Sequence, residues 1–272
     1  MSFKVTIVAD SISEFYCRLI TLEATYPRFI HSEIMTHRDR ARNAASSRAI
    51  PWFKMMQRIN ENPVIPIVFG REQKGMQTGI PVRDPDEAER IWLEARDNAV
   101  RSAQALTDLG VHKSICNRIT EPWMWITTIM TATSWKNFFR LRVHPDAEIH
   151  FQKIAGMIQK SIEASQPEKV GFGNWHLPYI KIDEVDNPIE DLKKASVARC
   201  ARVSYLTHDN QTPNIENDLK LFDRLVQGSG FGHWSPHEHV ATPVTPDVQS
   251  GPFKGWLQYR KFFPGECENE TL

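Results

Sequence analysis

Cysteine is scarce, neither sign of charge is in excess, and no long hydrophobic run exists; each shortage removes a class of protein. Cys17, Cys116, Cys200 and Cys267 stand far apart and form no CxxC pair, which argues against a disulfide framework and a thiolate zinc site and fits a reducing compartment. Lysine plus arginine number 33, as do aspartate plus glutamate, so no global field draws the molecule onto nucleic acid or an anionic membrane. No stretch approaches the ~18 apolar residues of a membrane span. The apolar run in the opening MSFKVTIVAD is too short for a signal peptide, and a cytoplasmic protein is expected. Familiar nucleotide and hydrolase motifs are missing too. GREQKGM at Gly70–Met76 has a GxxxxG frame, but methionine stands where a phosphate loop needs lysine; no GxGxxG follows a strand, and no acidic pair or GxSxG elbow points to hydrolysis.

What is present suffices for one α+β domain over residues 1–272, since 41% hydrophobic content can bury a large core. Alternation predicts strands at Phe3–Ala9 and Arg18–Thr25, a helix over Arg28–Met35 and another from Pro51 to about Ile59. A short apolar strand is expected at Val64–Phe69, followed by a polar loop to Pro85. Helical patterns then cover Asp86–Leu109, Val111–Ile119, Pro122–Leu141 and Asp146–Ala164, and after a connector, Ile189–Val203 and Ile215–Leu225.

Chemistry is concentrated in a few places. HRDRARNAASSR, His37–Arg48, packs four arginines, a histidine, an asparagine and two serines into twelve residues. Such a segment is expected outside the core, as a solvated basic face or as an anion site whose guanidinium forks suit phosphate and carboxylate. In HWSPHEH, His233–His239, Pro236 is suited to begin a helix with Ser235 as its N-cap and amide donors aimed at an anion. His233 and His237 have the i, i+4 spacing of zinc ligands, but HExxH is absent and Pro236 lies between them, so no metal is expected. Arg118 and Arg142 each end a helical pattern, where an arginine either complements the helix dipole or reaches into a shared cleft.

Together these pieces resemble the flavin-dependent thymidylate synthases. That family's signature RHRxxSxNxxSxRY is matched by THRDRARNAASSRA at Thr36–Ala49, through His37, Arg38, Asn43, Ser46 and Arg48. Its HxSxxEH block is matched by HWSPHEH, its ARxxLP block is echoed by NRITEP around Arg118, and its NxRxxxxFxxLR helix by TATSWKNFFRLR ending at Arg142. The order differs. ARVSY from Ala201 and HWSPHEH come last here, although residues 198–242 correspond to the family's N-terminal part, as in a circularly permuted branch of the kind carried by bacteriophages. The resemblance implies a mixed or antiparallel sheet with a large helical part, and a homotetramer with shared active sites. It also implies transfer of a one-carbon unit from methylenetetrahydrofolate to C5 of a pyrimidine deoxynucleoside monophosphate, principally dUMP to dTMP, with FAD as hydride carrier and NADPH as reductant. By position, His37, Arg38, Asn137, His233, Ser235 and Glu238 would contact the flavin. Glu33, Ser46, Ser47, Arg48, Arg118 and Arg142 would hold the nucleotide, with Arg142 and His233 as the catalytic pair. No membrane or nucleic-acid partner is implied.

Departures from the pattern stand at Thr36, Ala41, Ala44, Ala49, Thr131, Thr133 and Asp146. Glu33 replaces a frequent glutamine, and an acidic acceptor near the base would favour the 4-amino group of cytosine, so dCMP is an alternative substrate and hydroxymethyl an alternative transferred group. A reading of another class, a nucleic-acid-binding protein using residues 37–48, is opposed by the neutral overall charge.

Overall fold

β-Branched and aliphatic residues crowd the first thirty positions, and they form a long antiparallel hairpin, β1 (Lys4–Ser13) and β2 (Arg18–Pro27). A computed structural model describes residues 1–75, 77, 79–203, 214–227 and 232–264; Met76, Cys267 and the Ser204–Tyr205 end of ARVSY lie outside the described residues. The hairpin is the middle of a five-stranded sheet in the order β3-β4-β2-β1-β5, where β3 is Ala41–Ala44, β4 Trp125–Ala132 and β5 Glu168–Val170. All pairings are antiparallel except β1 with β5, so the fold is a mixed α+β arrangement, as expected.

Three expected elements differ. The Pro122–Leu141 helix is instead a 3-10 turn (Glu121–Trp123), the strand β4 and the short helix α5 (Lys136–Arg142). Covered on both faces between β3 and β2, β4 is a near-continuous apolar and threonine run that hides its period of two. The Val64–Phe69 strand is absent: Pro66 lacks a donor, and the segment is tied by Val64 N to Trp123 O (3.0 Å) and by Ile67 N to His150 Nε2 (2.8 Å). The Arg28–Met35 helix shrinks to a 3-10 turn (Arg28–Ile30) and the single turn α1 (His31–Ile34).

The remaining helices follow the sequence closely: α2 (Trp52–Glu61), α3 (Pro85–Asp108), α4 (Lys113–Ile119), α6 (Ile149–Ala164), α7 (Ile189–Arg202) and α8 (Ile215–Gln227). Their ends show why. Asp84 accepts from Glu87 N at 3.0 Å and Pro85 opens α3, while Gly110, at φ 80°, closes it with Val111 N donating to Leu106 O at 2.9 Å. Glu148 caps α6 by accepting from Phe151 N at 2.8 Å.

Period-two alternation gives the sheet two different faces. Leu22, Ala24, Tyr26, Met130 and Ala132 bury against Phe138 of α5 and Phe151, Ile154 and Ile158 of α6. On the other face, Leu19 and Ala41 meet Ala241, Phe253 and Trp256 from the short C-terminal strands, and Ile129 meets Cys200 and Val203. Helices α2 to α4 form a separate cluster around Trp52, Ile59, Cys116 and Trp123.

A buried ion network locks α7 to α8. Arg199 donates to both carboxylate oxygens of Glu184 at 2.6 Å and to Asp218 at 2.7 Å, and Arg202 reaches the other oxygen of Asp218 at 2.7 Å. The side chains of Arg199 and Asp218 are 2% and 1% exposed, so removing one partner strands charge in the interior. Asp218→Ala should therefore cost about 3–5 kcal/mol in urea unfolding; a loss below about 1 kcal/mol, the range of exposed pairs, would show that the network is dispensable.

Candidate functional site

The basic segment enters the core, contrary to expectation. Residues 41–44 are the sheet-edge strand β3, with Ala41 opposite Thr131 and Ala44 opposite Thr128 on β4. Backbone pairing does not depend on side-chain polarity, and the alanines let the edge approach closely. Ala41 and Asn43 are buried on one face, while Arg42 and Ala44 point to the other. Arg40 is buried as well, its guanidinium carbon 4.7 Å from the Trp135 ring centre and 4.2 Å from that of Phe138, with Asp39 at 2.7 Å as counter-ion. A weakly hydrated planar cation tolerates such stacking.

Just before β3, His37 meets the end of α5. Its Nε2 accepts from Arg142 Nε at 2.9 Å, across 105 residues of sequence, and its ring stands edge-on to Phe138 and Phe151. Burial, reinforced by Arg40 and Arg142, lowers the His37 pKa to about 4, so the ring is neutral and free to accept. The Arg142 guanidinium also covers Phe151, 4.5 Å from its centre. Half-buried Glu33 on α1 feels the same group: burial and then Glu148 push its carboxyl up, and Arg142 opposes them. His37 and Arg142 thus form one hydrogen-bonded pair at one edge of the sheet, within whose field Glu33 lies.

A second group forms on the opposite face. Ser235–His239 is a 3-10 turn, not the start of an α-helix, and Ser235 makes no capping bond. Its Oγ lies 3.0 Å from the side-chain amide of Asn43, which also lies 3.0 Å from His239 Nε2. From His239 a run of buried polar contacts crosses the sheet: Nδ1 to Thr131 Oγ1, Thr131 to Thr21 Oγ1, Thr21 to His176 Nε2 and His176 Nδ1 to Ser11 Oγ, each 2.7 Å. His176 is held in place by a bridge to Ala241, with His176 N donating to Ala241 O at 2.8 Å. Glu238 pairs with Arg260 of the 3-10 turn Tyr259–Phe262.

The other expected residues are dispersed. Arg38, Asn137 and His233 are exposed, with Asn137 accepting from Arg140 at 3.2 Å. Near the helical cluster, Ser47 is buried, donates to Glu121 at 3.2 Å and has its carbonyl taken by Asn117 at 2.6 Å; Ser46 is half-buried, and Arg48 and Arg118 are exposed. Among the described residues no hydrogen bond or ion pair joins Arg48, Arg142 and His233 within one chain. His237 is enclosed by Phe222, Trp234, Tyr259 and Phe263. Sequence reasoning missed Ser11, Thr21 and His176; the signal for Thr21 was its alternation with Leu22 on a strand that pairs it directly with Thr131.

No family of known proteins matches the chain, and no curated protein does. Among solved structures, the crystal structure of a UMP/dUMP methylase PolB from Streptomyces cacaoi bound with 5-Br dUMP aligns over 59% of this chain and 90% of that one, with 15% sequence identity and a TM-score of 0.49.

Burial holds His176 and His239 at about 3 and His237 at about 4, so all three are neutral when folded, whereas the unfolded chain titrates near ~6.5. Unfolding between pH ~4 and ~6.5 must therefore take up roughly three protons at these sites, and the stability they confer above pH ~6.5 is lost as pH falls. The urea midpoint should drop between pH ~7 and ~5; an unchanged midpoint would mean that these rings are already charged in the native state.

Proposed function

We propose that this chain is a flavin-dependent pyrimidine deoxynucleotide C5-methyltransferase, a permuted relative of the flavin-dependent thymidylate synthases, acting principally on dUMP. The observation that carries this reading is that blocks resembling that family, though reordered along the chain, lie side by side in space. Asn43 and Ser235 come from two different blocks, 192 residues apart, and are within hydrogen-bond distance. His37 and Arg142 join two blocks in the same way.

In the reaction, the one-carbon unit of methylenetetrahydrofolate forms a bond to C5, the C5 proton leaves, and a hydride completes the methyl group. Reduced FAD would supply that hydride when bound, with NADPH restoring it. Exposed Arg38, Asn137 and His233, with Ser235, present the donors and acceptors that an anionic dinucleotide requires. His37 is enclosed and engaged by Arg142, so its part is to orient that guanidinium rather than to touch a ligand broadly. Arg142 would stabilise negative charge developing on a base carbonyl, while Arg48, Ser46 and Arg118 would hold the phosphate. These residues are dispersed in one chain, so the site would form only where neighbouring subunits of a homotetramer bring them together. Glu33, beside Arg142, favours the 4-amino group of cytosine and keeps dCMP as the alternative substrate.

The purified protein should be yellow with bound flavin and should alkylate dUMP or dCMP in the presence of methylenetetrahydrofolate and NADPH, with mass spectrometry of the product separating methyl from hydroxymethyl. Arg142→Ala should lower kcat/KM on the order of 10²-fold, comparable to loss of one oxyanion donor. Colourless protein that turns over neither nucleotide overturns the proposal, and binding DNA with steep salt dependence would favour a phosphate-backbone reader instead. Glu33→Gln should shift preference toward dUMP; an unchanged preference for dUMP in both forms removes the cytosine alternative.

A further inference from the structure

The run of contacts from Ser235 to Ser11 has a direction. Every link between Asn43 and Ser11 joins a hydroxyl or a neutral imidazole to another, and such groups satisfy the chain equally well with all donors pointing either way. The asymmetry enters at Asn43. With its amide nitrogen toward His239, that nitrogen lies 3.0 Å from Nε2 and 3.1 Å from the carbonyl oxygens of both Ser235 and Arg42, while the amide oxygen accepts from Ser235 Oγ at 3.0 Å. Turned the other way, the amide oxygen would face those two carbonyls, acceptor against acceptor.

We infer that Asn43 is a positioning residue that fixes the direction of this buried chain and so holds the Ser235 hydroxyl as a hydrogen-bond acceptor toward a ligand docked on it. The Asn43 nitrogen shares its two hydrogens among these three acceptors and cannot itself accept, so His239 Nε2 carries no proton; His239 is protonated on Nδ1 and donates to Thr131. Thr131 donates to Thr21, Thr21 to His176 Nε2, and His176, also protonated on Nδ1, to Ser11. The Ser235 proton is committed inward to Asn43, which leaves its lone pairs for an N–H or O–H group of the occupant. An amide does not pass protons along, so the chain orients and does not conduct. The tautomers do not depend on what binds; only the identification of the occupant as a flavin rests on the function proposed above.

Long-range proton–nitrogen correlation spectra of histidine-labelled protein near neutral pH read the tautomers directly, with His176 assigned by its loss in His176→Gln. Both His239 and His176 are expected as Nδ1–H forms, and an Nε2–H signal from either overturns the inference. Asn43→Asp offers only acceptors at this position and should switch both rings to Nε2–H, including His176 at the far end; retention of Nδ1–H would show that residue 43 does not set the direction. Thr21→Val cuts the chain in the middle and serves should the aspartate variant not fold. His239 should then keep its Nδ1–H form, and a switch there would mean that the direction is imposed from the His176 end. Absence of flavin in the purified protein leaves all these outcomes readable.

Discussion

The cross-strand pair Thr21–Thr131, flanked by His176 and His239, is the constraint on which this architecture turns. All four residues are fully buried, a costly arrangement for polar side chains unless each atom is matched. Matching requires three separate parts of the chain to arrive in register: the β2–β4 ladder, the connector carrying His176 and the turn carrying His239. A slip of one residue between β2 and β4 would turn one threonine of the pair onto the aliphatic face and leave an imidazole without its hydroxyl, so polar matching reinforces the register that apolar burial selects. Neutrality of the rings follows from the same burial, which disfavours an imidazolium at His176 more strongly than the nearby Asp10 carboxylate favours it.

The two sheet faces divide the labour accordingly. The α5–α6 face is aliphatic and aromatic and supplies bulk hydrophobic stabilisation, with Phe138 and Phe151 serving also as walls for His37, Arg40 and Arg142. The opposite face mixes Leu19 and Trp256 with the hydrogen-bonded chain and with a second threonine pair, Thr25–Thr127 at 2.9 Å. The edge strand β3 belongs to both faces, and it transmits position between them: His37 at its approach is bound to one and Asn43 near its end to the other.

The long amphipathic helices were legible because capping and periodicity agree, as at Asp84–Pro85 and in the spacing of α6 and α8. β4 was not, since a strand covered on both sides loses its alternation; its β-branched run Ile126, Thr127, Thr128 and Ile129 was the better signal. The burial of Arg40 was hidden because its stabilising partners, Trp135 and Phe138, lie about a hundred positions away, and composition alone reads four arginines as surface. Likewise Asn43, Ser235 and Arg142 were nameable from motif spacing, whereas His176 sits in no motif and was invisible until the fold placed it against Thr21.

The distribution of satisfied and unsatisfied cations carries the last step. Arg18, Arg28, Arg199, Arg202 and Arg260 all have carboxylate partners within the chain, and Arg40 has Asp39. Arg38, Arg48 and Arg118, all within blocks that resemble one family, are exposed and form no ion pair among the described residues. Arg71, Arg83, Arg101, Arg140 and Arg224 are likewise exposed and without an ion pair among the described residues, so the lack of a carboxylate partner does not by itself single these three out. A guanidinium without an internal carboxylate keeps its fork of donors for an external one, and phosphate is the anion whose geometry it fits best. The chain thus separates two kinds of arginine: those that hold the fold together, such as Arg199, and those whose donors face solvent.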